Sequence, residues 1–150
     1  MTAVLHAALR VTEIMATEVE FVAPDAPVRE AAELMGEIEV GALPVGSPER
    51  LEGIVTDRDI LYRLVARGLD PNRLRVREVM SRPAVTCRES DTLHAAMDLM
   101  AAHHLRRLPV VNEAGHVTGW LTLADLSRHL LVEDAPLQDA LRRVTESGDA

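Results

Sequence analysis

The sequence predicts an α/β (α+β) fold in which two tandem β-α-β-β-α repeats pack as one module. Three observations support this prediction: an internal repeat, an apolar helical stripe in each copy, and two short apolar runs after each stripe. Residues 11–15 (VTEIM) recur as residues 76–80 (VREVM), and residues 43–45 (LPV) recur as residues 108–110. Self-similarity at a fixed spacing indicates that one supersecondary unit occurs twice along the chain.

The repeats divide the chain into three parts. Repeat 1 is predicted at residues 10–68, repeat 2 at residues 76–132, and an acidic C-terminal tail with room for a short helix at residues 133–150. A unit of about 60 residues is only marginally stable alone. The linker between the repeats, residues 69–73 (LDPNR), is also short and rich in turn-forming residues. We therefore expect the two repeats to pack against each other.

Each repeat is predicted to begin with a strand and an amphipathic helix. The strands are short apolar runs at residues 19–22 and 84–87. In the helices, apolar residues recur at positions i, i+3, i+4 and i+7, as in a helix that buries one face. They are Val28, Ala31, Ala32 and Met35 in repeat 1, and Leu93, Ala96, Met97 and Met100 in repeat 2. Asp25 and Ser90, which lie just ahead of these stripes, are the predicted N-caps.

Two short apolar runs follow each amphipathic helix and predict a β-hairpin. The runs are residues 42–45 and 51–55 in repeat 1, and residues 108–111 and 117–121 in repeat 2. Turn-forming residues separate the runs in both copies. A second helix is predicted to close each repeat, and Gly68 is the predicted C-cap of this helix in repeat 1.

The composition argues against several classes of function. The chain has 16 Lys and Arg against 24 Asp and Glu, a formal net charge of −8, which disfavours a nucleic-acid-binding protein because such proteins usually carry a basic patch. It has no run of 18 apolar residues that could enter a membrane, and no signal peptide is recognisable, so we expect a cytoplasmic protein. One cysteine, Cys87, leaves no intrachain disulfide and no cysteine zinc cluster.

A Gly-x-x-Thr-x-x-Asp motif occurs at the same place in both repeats, at residues 53–59 and 119–125. Its polar members are Thr56 and Asp59 in repeat 1, and Thr122 and Asp125 in repeat 2. A threonine with an acid three residues later is typical of a capping box at a helix N-terminus. An ionised carboxylate can also accept hydrogen bonds from a ligand, and a helix N-terminus attracts anions. The residues leave both roles open, and one does not exclude the other.

The doubled unit, with Leu-Pro-Val before a hairpin and this motif before the last helix, resembles the CBS domain. A tandem pair of CBS domains is often called a Bateman module, and the resemblance covers residues 10–132. It implies a pseudo-twofold module that binds an adenosine-containing ligand such as AMP or ATP in the cleft between the repeats. It also implies homodimers of modules and a regulatory signal to an effector protein. The alternative function is a scaffold that dimerises and interacts without a ligand.

The resemblance also assigns roles to individual residues. It implies that the motif aspartates bind the ribose hydroxyls and that the motif threonines bind ribose or phosphate. Arg106 and Arg107, just before the Leu-Pro-Val strand of repeat 2, would face the phosphates, since a guanidinium binds phosphate oxygens bidentately. The other interpretation of this pair is a solvated strand edge. Gly41 and Ala42 occupy the matching positions in repeat 1 and leave only Arg58 and Arg63 as cationic candidates there.

The same comparison of the two repeats predicts that the two clefts differ. We expect AMP or ATP to bind first beside Asp125, with the cleft beside Asp59 empty or weak. Family geometry would place three residues of repeat 1 at the wall of the Asp125 site, and three of repeat 2 at the wall of the Asp59 site, with plain core packing as the alternative. They are Val40, Gly41 and Ala42 for the first wall, and Ala84, Val85 and Leu105 for the second.

The sequence gives no sign of catalysis or of metal binding. It has no P-loop, no glycine-rich dinucleotide fingerprint and no Ser–His–Asp signature, so we predict no enzymatic activity. His103 and His104 are adjacent and therefore point in different directions from a helix, and no carboxylate or cysteine stands beside them at zinc-ligand spacing. We predict no metal site and no obligatory cofactor.

Overall fold

The computed structural model describes residues 9–130 together with Arg142 and Arg143. Repeat 1 consists of α1 (Val28–Ile38), β1 (Ala42–Ser47), β2 (Arg50–Thr56) and α2 (Asp57–Ile60), which continues as a π-helical turn over Leu61–Val65. Repeat 2 begins with a short helix α3 (Val76–Val79) and continues with β3 (Cys87–Arg88), α4 (Leu93–His103), β4 (Arg107–Val111), β5 (Val117–Thr122) and α5 (Leu123–Leu130). A 3-10 turn, Val11–Glu13, lies at the start of repeat 1.

The two predicted hairpins are present. Strands β1 and β2 pair antiparallel with Leu43 opposite Val55, and strands β4 and β5 pair antiparallel with Leu108 opposite Leu121. All four of these side chains are fully buried. The apolar runs that predicted the hairpins therefore supply buried side chains to the core of their own repeat.

The strands predicted at the start of each repeat are mostly absent. In repeat 1, the run at residues 19–22 forms only one parallel bridge, between Val22 and Val45. In repeat 2, the run at residues 84–87 contributes Cys87, which pairs parallel with Val110 in a three-stranded sheet of order β3-β4-β5. Val22 and Cys87 are the buried members of their runs, so little apolar surface favours a longer strand in either place.

The predicted apolar stripes form the helix faces of two cores. Val28, Ala31 and Met35 are buried in repeat 1, and Leu93, Ala96 and Met100 are buried in repeat 2. The buried face follows positions i, i+3 and i+7, because Ala32 is exposed and Met97 is only half-buried. Aliphatic side chains and methionines therefore fill both cores, with no aromatic residue among the buried ones.

Both predicted N-caps are wrong. Helix α1 begins directly after Pro27, and the carboxylate of Asp25 instead bonds to Arg77 and Arg75 at 2.9 and 3.3 Å. The hydrogen bond from Arg77 lowers the pKa of Asp25. Helix α4 is capped two residues later than predicted, by Thr92, whose hydroxyl accepts the N–H of Ala95 at 3.1 Å. The predicted C-cap glycine, Gly68, has a φ of +66°, the left-handed backbone that favours glycine at this position.

The first residues of each repeat pack on the other repeat. Val11, in the N-terminal segment (residues 10–16), is fully buried in the core of repeat 2. Val76 and Val79, in the inter-repeat segment (residues 76–81, at the start of repeat 2), are fully buried in the core of repeat 1. Each repeat thus completes its core with the first segment of the other one, and this exchange joins the repeats into one module.

Two glycines allow these segments to approach the hairpins. A Cβ atom on Gly53 of β2 would lie 2.7 Å from the carbonyl oxygen of Ser81, and one on Gly119 of β5 would overlap the sulfur of Met15. Beside these glycines, Ser81 pairs with Ile54, and Ala16 pairs with Trp120. The glycine of the Gly-x-x-Thr-x-x-Asp motif therefore allows close packing in both repeats.

Two expectations concern regions that the structure describes only in part. Apart from Arg142 and Arg143, which are helical, the acidic tail at residues 133–150 lies outside the described residues. Over residues 9–130, no helix is long and apolar enough to cross a membrane.

Candidate functional site

The motif of repeat 2 lies where strand β5 meets helix α5. Thr122 ends the strand, and its hydroxyl accepts the backbone N–H of Asp125 at 3.1 Å, as an N-cap does. The carboxylate of Asp125 is 26% exposed, and one of its oxygens, Oδ1, accepts a hydrogen bond from the guanidinium of Arg128. The threonine thus caps the helix, but the carboxylate of Asp125 does not accept the N–H of Thr122 in return. It remains partly accessible to solvent.

The motif of repeat 1 forms a closed capping box instead. The Thr56 hydroxyl accepts the N–H of Asp59 at 3.1 Å, and Oδ2 of Asp59 accepts the N–H of Thr56 at 3.0 Å. The other carboxylate oxygen of Asp59, Oδ1, accepts the hydroxyl hydrogen of Ser81 at 3.1 Å. Asp59 is only 8% exposed, and both of its oxygens are used within the protein. Two aspartates at equivalent sequence positions thus have different environments.

A cleft of about 1150 Å³ lies beside Asp125 and is lined by both repeats. It brings together most of the residues predicted for this site. They are Arg106, Arg107, Thr122 and Asp125 from repeat 2, with Val40, Gly41 and Ala42 as the predicted wall from repeat 1. The aliphatic and small side chains of repeat 1 therefore lie across the cleft from the charged side chains of repeat 2.

The start of strand β4 places the arginine pair beside the N-terminus of helix α5. The N–H of Leu123, the first residue of the helix, donates to the carbonyl oxygen of Arg106 at 2.7 Å. Arg107 is half-buried, and burial lowers the pKa of its guanidinium. The guanidinium of Arg107 forms no hydrogen bond and no ion pair with any described residue. A half-buried cation of this kind is stabilised by an anion that enters the cleft.

One acidic residue of repeat 1, Asp57, affects the pKa of Arg107 without a direct contact. The carboxylate of Asp57 partly offsets the lowering of the Arg107 pKa by burial, although it forms no ion pair with Arg107. Asp57 lies against Gly41, because its N–H donates to the Gly41 carbonyl at 2.9 Å and its Oδ2 is 3.0 Å from where a Cβ of Gly41 would lie. The carboxylate of Asp57 therefore lies directly beside Gly41, one of the residues that line the cleft.

The residues predicted for the Asp59 cleft are distributed differently. Val85 and Leu105, two of its predicted wall residues, pack against the core of repeat 2, and Ala84 is half-buried. Arg58 is exposed. Arg63 donates to backbone carbonyls of the inter-repeat segment. Val85 and Leu105 therefore agree with the alternative interpretation of the wall residues, which is core packing.

Sequence reasoning missed several residues that line the Asp125 cleft. Arg128 had a signal, since it lies three residues after Asp125 and therefore on the same helix face. Trp120 belongs to the repeated motif, but nothing in its spacing indicates a cleft. Ile14 reaches the cleft from the N-terminal segment, and only the exchange of segments between repeats, which the sequence does not reveal, explains its position.

The single cysteine has the properties of a core residue. Cys87 is 1% exposed, and burial raises the pKa of its thiol to about 12. A thiol with this pKa is protonated at neutral pH and is a poor nucleophile. Among the described residues there is also no group of three His, Cys, Asp or Glu side chains that could hold a metal ion.

Comparisons with known proteins identify the family. The CBS domain model matches residues 11–66 and 76–132. The CBS domain-containing protein YhcV of Bacillus subtilis is 41% identical over 117 residues, which are 78% of this chain and 82% of YhcV. Hypoxic response protein 1 of Mycobacterium tuberculosis is 35% identical over 119 residues, which are 79% of this chain and 82% of that protein.

A solved structure gives the same result at the level of the fold. The structure of CBSX2 in complex with AMP, a CBS-pair protein of Arabidopsis thaliana, matches 83% of this chain and 98% of CBSX2. The two share 29% sequence identity, with a TM-score of 0.70. The chain belongs to the CBS domain family and contains two CBS domains in tandem.

Proposed function

We propose that this CBS pair is a regulatory module that binds an adenosine-containing ligand, such as AMP or ATP, in the cleft beside Asp125. One observation carries the proposal: Arg107, a half-buried arginine with no ion pair to any described residue, shares this cleft with Arg106, Thr122 and Asp125. The AMP bound to CBSX2 supports the choice of an adenine nucleotide.

The polar groups predicted for this cleft suit a nucleotide. Oδ2 of Asp125 has no hydrogen bond within the described residues and is available to a ribose hydroxyl. The Thr122 oxygen accepts the N–H of Asp125, so its hydroxyl hydrogen is available to donate to ribose or phosphate. Arg106 and Arg107 would bind the phosphate oxygens, and Ile14 and Trp120 would supply apolar surface for the base.

A ligand in this position would contact both repeats. Val40, Gly41 and Ala42 belong to repeat 1, whereas the arginine pair and Asp125 belong to repeat 2. A ligand changes the state of a protein only when it binds one arrangement better than another. A nucleotide between the repeats would favour one relative arrangement of them, and this preference would be the signal to an effector protein.

The proposed ligand binds the Asp125 cleft first. Gly41 and Ala42 supply no charge at the positions that Arg106 and Arg107 occupy in repeat 2. Hydrogen bonds to charged groups contribute about 1.5–3 kcal/mol each, so one such contact separates the affinities of the two clefts by roughly tenfold or more.

Tryptophan fluorescence tests the proposal, since Trp120 is the single tryptophan of the chain and lines the cleft. Titration with AMP or ATP should change the emission to saturation. The melting temperature should rise in parallel, since a ligand at 100 times its Kd stabilises a fold by about 2.7 kcal/mol. If AMP, ADP, ATP, NAD and S-adenosylmethionine change neither signal, the cleft binds no such ligand.

A second candidate function, a scaffold that dimerises without a ligand, is favoured by a specific observation. Leu61, Tyr62 and Val65 on the π-helical turn after α2 are 50%, 63% and 58% exposed. Apolar side chains that are exposed together mark surfaces for association, and an isologous homodimer is the commonest assembly. We propose a homodimer in either case. A monomer in light scattering at all practical concentrations would contradict it.

A further inference from the structure

The aspartate of repeat 1 is bonded on both oxygens to residues of this chain. Oδ2 of Asp59 accepts the N–H of Thr56 at 3.0 Å, and Oδ1 accepts the hydroxyl hydrogen of Ser81 at 3.1 Å. Asp59 is also the one charged residue that is buried within the described part of the chain. Because an ionised carboxylate is costly to bury without partners, these bonds are needed to keep it in place.

These bonds join helix α2 to the inter-repeat segment. Ser81 belongs to that segment, and its backbone pairs with Ile54 through two hydrogen bonds of 2.8 and 3.0 Å. One helical turn after Asp59, the Arg63 guanidinium donates to the carbonyls of Val79 and Met80, both at 2.9 Å. Arg63 also lies 3.8 Å from Oδ1 of Asp59. Asp59, Arg63 and Ser81 thus form one polar cluster on the inter-repeat segment.

Repeat 2 lacks the hydroxyl on which this cluster depends. The residue that corresponds to Ser81 in the N-terminal segment is Ala16, and its backbone pairs with Trp120 as Ser81 pairs with Ile54. Alanine has no donor for the aspartate. Asp125 is accordingly more exposed, with its side chain held by Arg128 on its own helix. The difference between serine and alanine therefore coincides with a buried aspartate in one repeat and an accessible one in the other.

We propose that Asp59, Arg63 and Ser81 form a structural clamp that fastens the inter-repeat segment to repeat 1, and that this clamp replaces a second nucleotide site. The clamp itself is independent of any ligand. The statement that each chain binds one nucleotide, beside Asp125, rests on the proposed function.

The replacement follows from the hydrogen bonds. Each oxygen of Asp59 keeps a lone pair, but the side chain is only 10% exposed, so a ribose that reaches it displaces the Ser81 or Thr56 donor and leaves that donor of the protein unpaired. Hydrogen bonds that a ribose would form with the carboxylate are therefore offset by those that the protein loses. Asp125 has an unused oxygen and meets no such loss.

A double-mutant cycle tests the clamp in the full chain without ligand. Ser81→Ala, Asp59→Asn and the double variant are unfolded with urea, with Ser90→Ala as the matched control. Ser90 is exposed, and its hydroxyl has no hydrogen bond within the described residues. Ser81→Ala should raise the unfolding equilibrium constant about tenfold, the effect of one hydrogen bond to a charged group, and Ser90→Ala by less than about twofold.

The double variant distinguishes a clamp from two independent effects. If Ser81 acts through Asp59, the double variant unfolds about as readily as Asp59→Asn alone, because residues of one network are not additive. If the effects of the two single substitutions multiply, or if Ser81→Ala behaves as Ser90→Ala does, the clamp is overturned.

Calorimetric titration of the unaltered chain with AMP and with ATP tests the replacement. One site per chain is expected, and two sites per chain would overturn it. If neither nucleotide binds, the proposed function fails and the one-site statement fails with it. The urea cycle decides the clamp in all these cases, so the two failures are distinguishable.

Discussion

Replacing Arg107 with methionine should weaken nucleotide binding without weakening the fold. Arg107→Met retains an unbranched apolar stem and removes the charge, and Arg107 is half-buried with no ion pair among the described residues. Its charge contributes little to the stability of the free protein, since a desolvated cation without a partner is costly. Its stem packs as an apolar group, which methionine replaces. The free energy of unfolding should therefore stay the same or rise.

The effect on binding has the opposite sign. A charge-assisted contact to phosphate contributes about 1.5–3 kcal/mol, and about 1.4 kcal/mol is a factor of ten in Kd. The Kd for AMP should therefore rise roughly 10- to 100-fold, as measured by Trp120 fluorescence, while urea denaturation reports the stability. Arg73→Met is the matched control, since Arg73 lies between the repeats with its side chain 89% exposed. The Arg73→Met variant should bind AMP with the Kd of the unaltered chain.

Two outcomes would refute this reasoning. If Arg107→Met binds AMP as tightly as Arg73→Met, the guanidinium does not face a phosphate. If Arg58→Met weakens AMP binding more than Arg107→Met does, the phosphate lies beside repeat 1 and the predicted order of the two clefts is wrong.

Two further predictions concern Asp125 and Cys87. Asp125→Ala should weaken AMP strongly, and a 2′,3′-dideoxy analogue should bind poorly to the unaltered chain. If the residue acts only within the helix cap, the cost is on the order of 1 kcal/mol of stability, and calorimetry would find the affinity of the folded variant unchanged. Cys87, with a pKa of about 12 in the core, should resist a thiol reagent at pH 8 until urea unfolds the chain; rapid labelling of the native protein would contradict its burial.

Local patterns in the sequence predicted the hairpins and the helix faces well, and tertiary burial explains where they failed. The stripe of α1 and the Leu-Pro-Val strands depend on the spacing of apolar residues that are close together in the sequence, so they can be recognised without the structure. The strand predicted at residues 19–22 failed because a single residue of it, Val22, is buried. The N-cap of α4 was assigned to Ser90 rather than Thr92, and both residue types are good caps, so composition could not decide between them.

The candidate site was also predicted only in part. The resemblance to the CBS domain grouped Arg106, Arg107 and Asp125, and all three line one cleft in the structure. The comparison of the repeats predicted that the two clefts differ, but it did not predict the burial of Asp59, because that depends on Ser81, which lies 22 residues beyond Asp59 and reaches it through the exchange of segments. No local pattern contains that contact.

A crystal structure of the chain grown with AMP tests the central claim most directly. The account predicts one AMP per chain in the cleft of about 1150 Å³, with its ribose hydroxyls on the carboxylate of Asp125 and its phosphate on Arg107, and with the Ser81–Asp59 hydrogen bond intact. AMP bound to Asp59 with that bond broken, or a cleft beside Asp125 that stays empty at saturating AMP, would contradict it.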